Sequence, residues 1–207
     1  MQWNWPKVYG EDKFVVLLGG LHIEVACLST IGDLLDGSGW SSILAEERVT
    51  TPGKADALLK SSHVKRAGYA HTFTCSTLWT LLHQAFGAYR EEDPQPLSFE
   101  DWCIRHRESH PQFDYRYTVW KVELLLLFFV RSLPEGNFHL YLSSLSAPLF
   151  FALDHTHYSR WLSVHIRDMV TPRAQVPDVA EQFSQGKFVV RKTNRQFSAI
   201  LVDHAHE

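Results

Sequence analysis

A group of side chains able to carry chemistry lies between Asp154 and Asp168. If this stretch is helical, His157, His165 and both carboxylates fall along one side of the helix. Imidazole and carboxylate groups bind metals and transfer protons, so Asp154 is a catalytic candidate and His157, His165 and Asp168 are metal-ligand candidates. The two histidines are two turns apart, about 12 Å, and so cannot share one ion. A helix cap at Asp154 with local ion pairs is the favoured alternative.

Three further carboxylates are catalytic candidates. Asp203 and Glu207 enclose two histidines in the last five residues, and such a run could give a divalent metal its oxygen ligands. An ordinary polar chain end explains the same run equally well. Glu24 follows the Gly19-Gly20 pair in a mainly apolar pattern, where a carboxylate is costly unless it is paired. Pairing of Glu24 with a histidine or arginine is the favoured interpretation.

The densest basic cluster contains Lys60, Lys65 and Arg66, between two predicted helices. These three residues are the candidates for a nucleic-acid contact. Few aromatic residues are interleaved with them, which favours a solvated loop over a binding strip. The net charge of -3 and the isoelectric point near 6.4 also provide no general attraction to nucleic acid or to anionic membranes.

The remaining motifs exclude several classes of protein. The chain contains neither a dinucleotide-binding glycine motif nor a phosphate-binding loop, and it has no recognisable serine hydrolase elbow. Its cysteines, Cys27, Cys75 and Cys103, are far apart and form no CxxC pair, which indicates free thiols in a reducing compartment. No secretory signal is recognised, and the apolar run Val122–Val130 is too short to span a bilayer. We therefore expect an intracellular protein, cytoplasmic or nuclear, without a membrane partner.

The predicted fold class is α+β and mostly α-helical, with a buried strand–Gly-Gly–helix unit, a large helical region and a C-terminal β-hairpin. In the third helix after this unit, the apolar residues Phe73, Leu78, Trp79, Leu82 and Phe86 predict the core-facing stripe. The expected elements are a strand at 14–18, helices at 21–36, 42–47, 52–62, 68–87, 99–109, 116–133, 135–146, 156–170 and 177–185, and hairpin arms at 188–193 and 196–202. Ser98 with Asp101 predicts the start of the helix at 99–109, and Pro111 predicts its end.

The pattern predicts one incomplete domain with four sub-regions. Residues 1–88 hold the βα unit and a helical lobe, and residues 99–186 form a second helical lobe. The acidic, proline-containing residues 89–98 are a linker between them. Residues 187–207 form the hairpin and the start of a truncated helix.

Four stretches carry a family resemblance, namely Trp3–Trp40, Ser98–Cys103, Phe150–Met169 and Phe188–Glu207. They resemble a multicopy, uncharacterised family of animal proteins that looks transposon-derived and is loosely grouped with CXC-domain-containing relatives. The resemblance covers essentially the whole chain. Because members of that family are much longer, it implies that this chain is an internal fragment of a longer parent chain, which would supply its partner surfaces.

The wider similarity is to transposase-like domains with an RNase H-like core. It implies a partial RNase H-like core in which residues 14–18 and the following helix form one βα unit. Residues 40–186 would be a helical insertion, and residues 203–207 would begin the last acidic helix. The sequence departs from that pattern because Gly19 and Gly20 stand where a catalytic acid is expected.

Three functional hypotheses follow. The preferred one is a transposon-derived, RNase H-like remnant whose incomplete acids argue against catalysis, and which retains contacts with nucleic acid or protein. The first alternative is a helical protein-interaction scaffold without a catalytic role. The second alternative is a fragment of a metal-dependent nuclease or transposase. Only this last hypothesis requires a cofactor, Mg²⁺ or Mn²⁺.

Overall fold

The computed structural model describes residues 19–147, 158–170 and 177–200. Within these residues the elements, in chain order, are α1 (Gly20–Leu35), α2 (Trp40–Glu46), α3 (Pro52–Leu59), α4 (Val64–Glu92), α5 (Phe99–Ser109), α6 (Pro111–Glu135), α7 (Phe138–Leu145), α8 (Tyr158–Val170), α9 (Pro177–Ser184), β1 (Val190–Arg191) and β2 (Ala199–Ile200). The mostly helical fold with a small C-terminal antiparallel sheet is therefore confirmed. The predicted strand at 14–18 lies outside the described residues, and the RNase H-like core stays a prediction.

Two helix boundaries differ from the sequence prediction by five residues each, more than the other boundaries do. The helix α4 continues through Glu92, so residues 89–92 of the expected linker are helical. This segment contains good helix formers. The helix ends before Asp93, whose backbone is extended because Pro94 follows it. The helix α6 begins at Pro111, five residues earlier than expected. Proline is tolerated in the first turn of a helix, because that turn has no internal partner for a backbone N–H. Pro111 thus starts α6 directly after α5 ends.

The hairpin ladder ends earlier on its turn side than the sequence pattern predicts. Among the described residues Val190 pairs with Ile200 and Arg191 pairs with Ala199, and the last two residues of the predicted second arm, 201 and 202, lie outside the described residues. The connection bends back through Ser198, whose hydroxyl donates to the carbonyl oxygens of Thr193 and Arg195 at 2.6 and 2.7 Å. These local bonds replace the strand ladder that the alternating sequence favours.

The chain divides into two compact units, and we call residues 28–127 the central unit. Its core contains a hydrophobic cluster contributed by α4, α5 and α6: Cys75, Leu82, Trp102, Cys103 and Trp120. The 29-residue helix α4, about 43 Å long, runs along this core. Ser98 caps α5 by accepting a hydrogen bond from the backbone N–H of Asp101, as the sequence predicts. Close packing elsewhere requires Gly32, where a Cβ atom would clash with the carbonyl oxygen of Leu59.

The other unit contains the described parts of residues 1–27 and 128–207. Its core is aromatic: the ring of Phe138 lies 5.4 Å from that of Phe183 and 5.3 Å from that of Phe188. Gly186 has a positive φ of 82°, and a Cβ atom there would lie 2.9 Å from the carbonyl oxygen of Gly136. Glycine at this position therefore permits two turns of the backbone to touch.

None of the described helices is long and apolar enough to cross a membrane.

Candidate functional site

A groove of about 660 Å³ opens on the central unit. Its walls come from the end of α1 and from α2, α4 and α6. The lining residues are Leu34, Leu35, Asp36, Gly37, Ser38, Trp40, Ile43, Leu44, Phe73, Thr74, Thr77, Leu78, Leu81, Gln112, Tyr115, Arg116 and Val119. A volume of this size lies within the usual range for ligand and peptide pockets.

The rim of the groove exposes large apolar side chains. Ile43 on α2 is 52% exposed, and Phe73 and Leu81 on α4 are 42% and 53% exposed. Phe73, Thr77 and Leu81 follow one another at four-residue intervals, so they form one continuous wall along α4. The predicted core stripe of α4 is confirmed for Leu82, which is buried, and for Leu78 and Phe86, which pack against the core cluster. It is wrong for Phe73 and Trp79, which are exposed. Apolar side chains that lie together at the mouth of a groove indicate a binding surface.

Two hydrogen bonds fix the walls of the groove. The buried indole of Trp40 donates from Nε1 to Oγ1 of Thr74 at 2.8 Å, which ties α2 to α4. The hydroxyl of Tyr115 donates to the carbonyl oxygen of Leu34 at 2.9 Å. That second bond satisfies one of the last carbonyl groups of α1, which have no partner within their own helix. The walls of the groove are therefore joined to one another without any bound partner.

Behind Trp40 lies a fully buried polar pair. Nδ1 of His71 on α4 lies 2.9 Å from Oε1 of Glu123 on α6, and both side chains have no exposed surface. The ring of Trp40 stacks on His71 with 5.3 Å between the ring centroids. Burial raises the pKa of Glu123, and the hydrogen bond and charge of His71 act in the opposite direction. Glu123 therefore keeps its proton to a higher pH than an exposed glutamate does.

The buried pair is poorly suited to nucleophilic catalysis, although a cysteine lies close by. Burial, with a smaller contribution from the charge of Glu123, raises the pKa of Cys75 to about 11. The thiolate is the nucleophilic form of cysteine, and at neutral pH very little of it is present at this site. Nε2 of His71 and Oε2 of Glu123 are buried without a hydrogen-bond partner. The pair thus connects α4 to α6 at an energetic cost.

The structure describes only some of the carboxylates and histidines that are site candidates from the sequence. Asp154, His157, Asp203 and Glu207 lie outside the described residues, so their roles stay predictions. Glu24 is buried within α1 and takes part in an interaction, and its pairing with a histidine or arginine stays a prediction.

His165, a predicted metal-ligand candidate, is buried, and its Nε2 atom lies 2.6 Å from the hydroxyl oxygen of Tyr141. That contact engages one of the two ring nitrogens through which a histidine can bind a metal. Asp168 belongs to α8, but its side chain is outside the described set. In the described part of the chain, no group of three or more histidine, cysteine or carboxylate side chains could hold a metal ion.

The predicted nucleic-acid residues lie together at the start of α4. The side chains of Lys60, Lys65 and Arg66 are all exposed. They lie on either side of His63, the N-cap residue that precedes the first residue of α4. His63 has a positive φ of 60°, and its side chain makes no capping hydrogen bond. The arrangement leaves three cations facing solvent, and the predicted contact with nucleic acid stays a prediction.

Neither the groove nor the His71–Glu123 pair was predicted from the sequence. The pair joins residues 52 positions apart, and nothing in the local pattern indicates such a contact. A signal for the exposed wall was present, since α4 contains no lysine, arginine, aspartate or glutamate between Ala67 and Tyr89. A solvent-facing helix normally has charged residues on its outer face, so their absence points to a contact surface.

Comparison with known proteins places this chain in a family. Residues 97–207, more than half of the chain, match a domain of unknown function (DUF8702), and the chain belongs to that family. No curated protein and no solved structure matches the chain.

Proposed function

We propose that this chain is a protein-binding module, and that the groove on its central unit takes a short amphipathic helix of a protein partner. The observation that supports the proposal is the exposed apolar rim formed by Ile43, Phe73 and Leu81 around the groove. Burying these side chains against a partner removes apolar surface from water, which is the main favourable term in protein association.

The dimensions of the groove favour a helix as its occupant. The wall from Phe73 to Leu81 is about 12 Å long, which equals slightly more than two turns of an α-helix. A helix-in-groove complex uses anchors at positions i, i+3 or i+4 and i+7, which span a similar length. Two or three large apolar anchors therefore match both the length of the groove and its volume.

Charge adds to this description of the partner. Asp36 and Arg116 are the charged residues among those that line the groove, and both are exposed. The remaining lining side chains are uncharged, and they are apolar or hydroxyl-bearing apart from the amide of Gln112. A partner helix should therefore present an uncharged face to the groove, with charged side chains directed towards solvent. A strongly charged segment, such as a nucleic-acid backbone, would gain little from this groove.

The proposal is tested with peptides selected from a library of 15-residue helices with randomised apolar anchors. Their affinity for the full chain is measured by fluorescence anisotropy, in wild type and in the variant Ile43→Glu. We expect the charge to weaken binding at least tenfold, about 1.4 kcal/mol. The matched control is Ile104→Glu, because Ile104 is 49% exposed on α5 and does not line the groove. Equal weakening by both variants, or selection of no peptide, would refute the proposal.

A transposon-derived, RNase H-like origin is compatible with this function and stays a prediction. The name of the matched domain attaches no activity to the family. Retained contacts with nucleic acid, a longer parent chain and a Mg²⁺ or Mn²⁺ site in a nuclease fragment are predictions of the same kind. A rise in melting temperature on addition of Mg²⁺ or Mn²⁺ would support the metal-dependent alternative.

A further inference from the structure

The outer face of α4 is uncharged and lies beside the groove. Seven exposed residues make up this face, which we call the α4 face: Tyr69, Thr72, Phe73, Ser76, Trp79, Thr80 and His83. Three of them are large rings with substantial exposure, with Tyr69 at 78% and both Phe73 and Trp79 at 42%. With about 100° between successive residues of a helix, all seven lie within about 60° of the direction of Ser76.

The α4 face has the same chemistry on both sides of Ser76. Three residues away on either side is an aromatic ring, Phe73 or Trp79. Four residues away on either side is a threonine, and seven residues away on either side is a ring again, Tyr69 or His83. An isologous contact requires such a pattern, because residue i of one copy meets residue j of the other and the reverse.

The serine and threonine hydroxyl groups on the α4 face already have partners. Thr72 donates to the carbonyl oxygen of Gly68 at 2.8 Å, and Ser76 donates to that of Thr72 at 2.9 Å. Thr80 donates to the carbonyl oxygen of Ser76 at 2.9 Å. A second surface could therefore cover these side chains without leaving a buried donor unsatisfied, which is the usual cost of burying polar groups.

We propose that the α4 face binds a second copy of this chain, with the two α4 helices antiparallel and the two-fold axis beside Ser76. In this arrangement Thr72 of one copy meets Thr80 of the other, and Phe73 of one copy meets Trp79 of the other. The small Ser76 side chains at the axis let the helices approach closely.

Charge favours a second copy as the occupant. The chain has a net charge of -3, so two copies repel each other in general. The α4 face contributes no formal charge to this repulsion at neutral pH, and its rings and methyl groups match those of an identical face. Since the paired segment from Tyr69 to His83 is about 21 Å long, it buries less than a standard interface of about 800 Å² per partner. We therefore expect a weak dimer, with a dissociation constant in the micromolar range.

Sedimentation velocity on the full chain across a concentration series gives the first test. We expect a monomer–dimer equilibrium that Ser76→Glu shifts at least tenfold towards monomer, because two carboxylates would meet at the axis. The matched control is Ala85→Glu, which adds the same charge to an exposed position on the opposite side of α4. A chain that stays monomeric up to about 100 µM would overturn the proposal. So would a dimer that resists Ser76→Glu and dissociates with the groove variant Ile43→Glu.

Cysteine crosslinking tests the symmetry independently of the charge variant. We expect Ser76→Cys to form a disulfide-linked dimer under mild oxidation. Thr72→Cys should not crosslink to itself, but it should crosslink to Thr80→Cys when the two proteins are mixed. The native cysteines Cys27, Cys75 and Cys103 are buried, so they do not compete. Crosslinking of Thr72→Cys to itself at the rate of Ser76→Cys would indicate a parallel or nonspecific contact and would overturn the proposed arrangement.

Discussion

Removing one member of the buried His71–Glu123 pair should destabilise the central unit strongly, whereas removing both should not. In His71→Leu the Glu123 carboxyl stays fully buried without its hydrogen-bond donor, which lies 2.9 Å away in the wild type. Loss of one partner of a buried pair costs about 3–5 kcal/mol. The stacked Trp40 ring also loses its neighbour at 5.3 Å, and such a contact contributes about 0.5–1.5 kcal/mol. We therefore expect a loss of about 4–6 kcal/mol in the free energy of unfolding.

The double variant His71→Leu with Glu123→Met should lie within about 1 kcal/mol of the wild type. It replaces both polar groups by apolar groups of similar volume, and it removes the two buried atoms that have no partner, Nε2 of His71 and Oε2 of Glu123. Urea unfolding followed by tryptophan fluorescence measures all four members of this cycle. Gln84→Leu, at an exposed position of the same helix outside the α4 face, is the control for helix propensity. If the two single variants add to give the double variant within about 0.5 kcal/mol, the reasoning is refuted.

The remaining predictions concern pH, packing and thiol reactivity. Because the pKa of Glu123 is raised above its ordinary value of 4.5, its contribution to stability is fully present below pH 4.5 and is lost as the pH rises through the higher folded value. Urea unfolding should therefore show that the free energy of unfolding of Glu123→Gln rises relative to that of the wild type as the pH increases above 4.5. A difference in free energy of unfolding that stays constant across pH would count against the raised pKa. Gly32→Ala should cost at least about 1–3 kcal/mol in thermal unfolding because its Cβ atom would meet the carbonyl oxygen of Leu59, whereas Gly53→Ala, with open space around it, should be harmless. At pH 8 a pKa of about 11 in place of 9.0 leaves about 100-fold less thiolate at Cys75, so iodoacetamide should label it at least that much more slowly than in urea-unfolded chain.

The helical elements were largely predictable because their signals are local. Ser98 and Asp101 mark the start of α5 in the sequence, and the structure shows the hydrogen bond that this pattern predicts. The prediction failed in detail where two local signals compete. Pro111 was interpreted only as a stop for α5, although proline also begins helices, and the alternating residues of the hairpin gave way to hydrogen bonds made by Ser198.

The groove could not be predicted, because it depends on contacts between distant residues. An apolar periodicity shows that α4 has a buried face, but it does not show which neighbours cover the other apolar positions. Phe73 and Trp79 were assigned to the core on that basis and are exposed. The partner of His71 could not be predicted either, because any of the acidic residues in the chain could have paired with it.

The hydrogen bond from Tyr115 to Leu34 has a consequence for the order of events during synthesis. It joins residues separated by 81 positions, and the groove between them has walls from the end of α1 and from α6. Contacts of such long sequence separation form late, because a long loop must close before they contribute. On a ribosome the helices α1 to α4 can form as each emerges, but the groove cannot exist until Val119 has left the exit tunnel. A nascent chain shorter than this has the apolar rim residues but no site, and a partner that binds the groove recognises only a folded central unit.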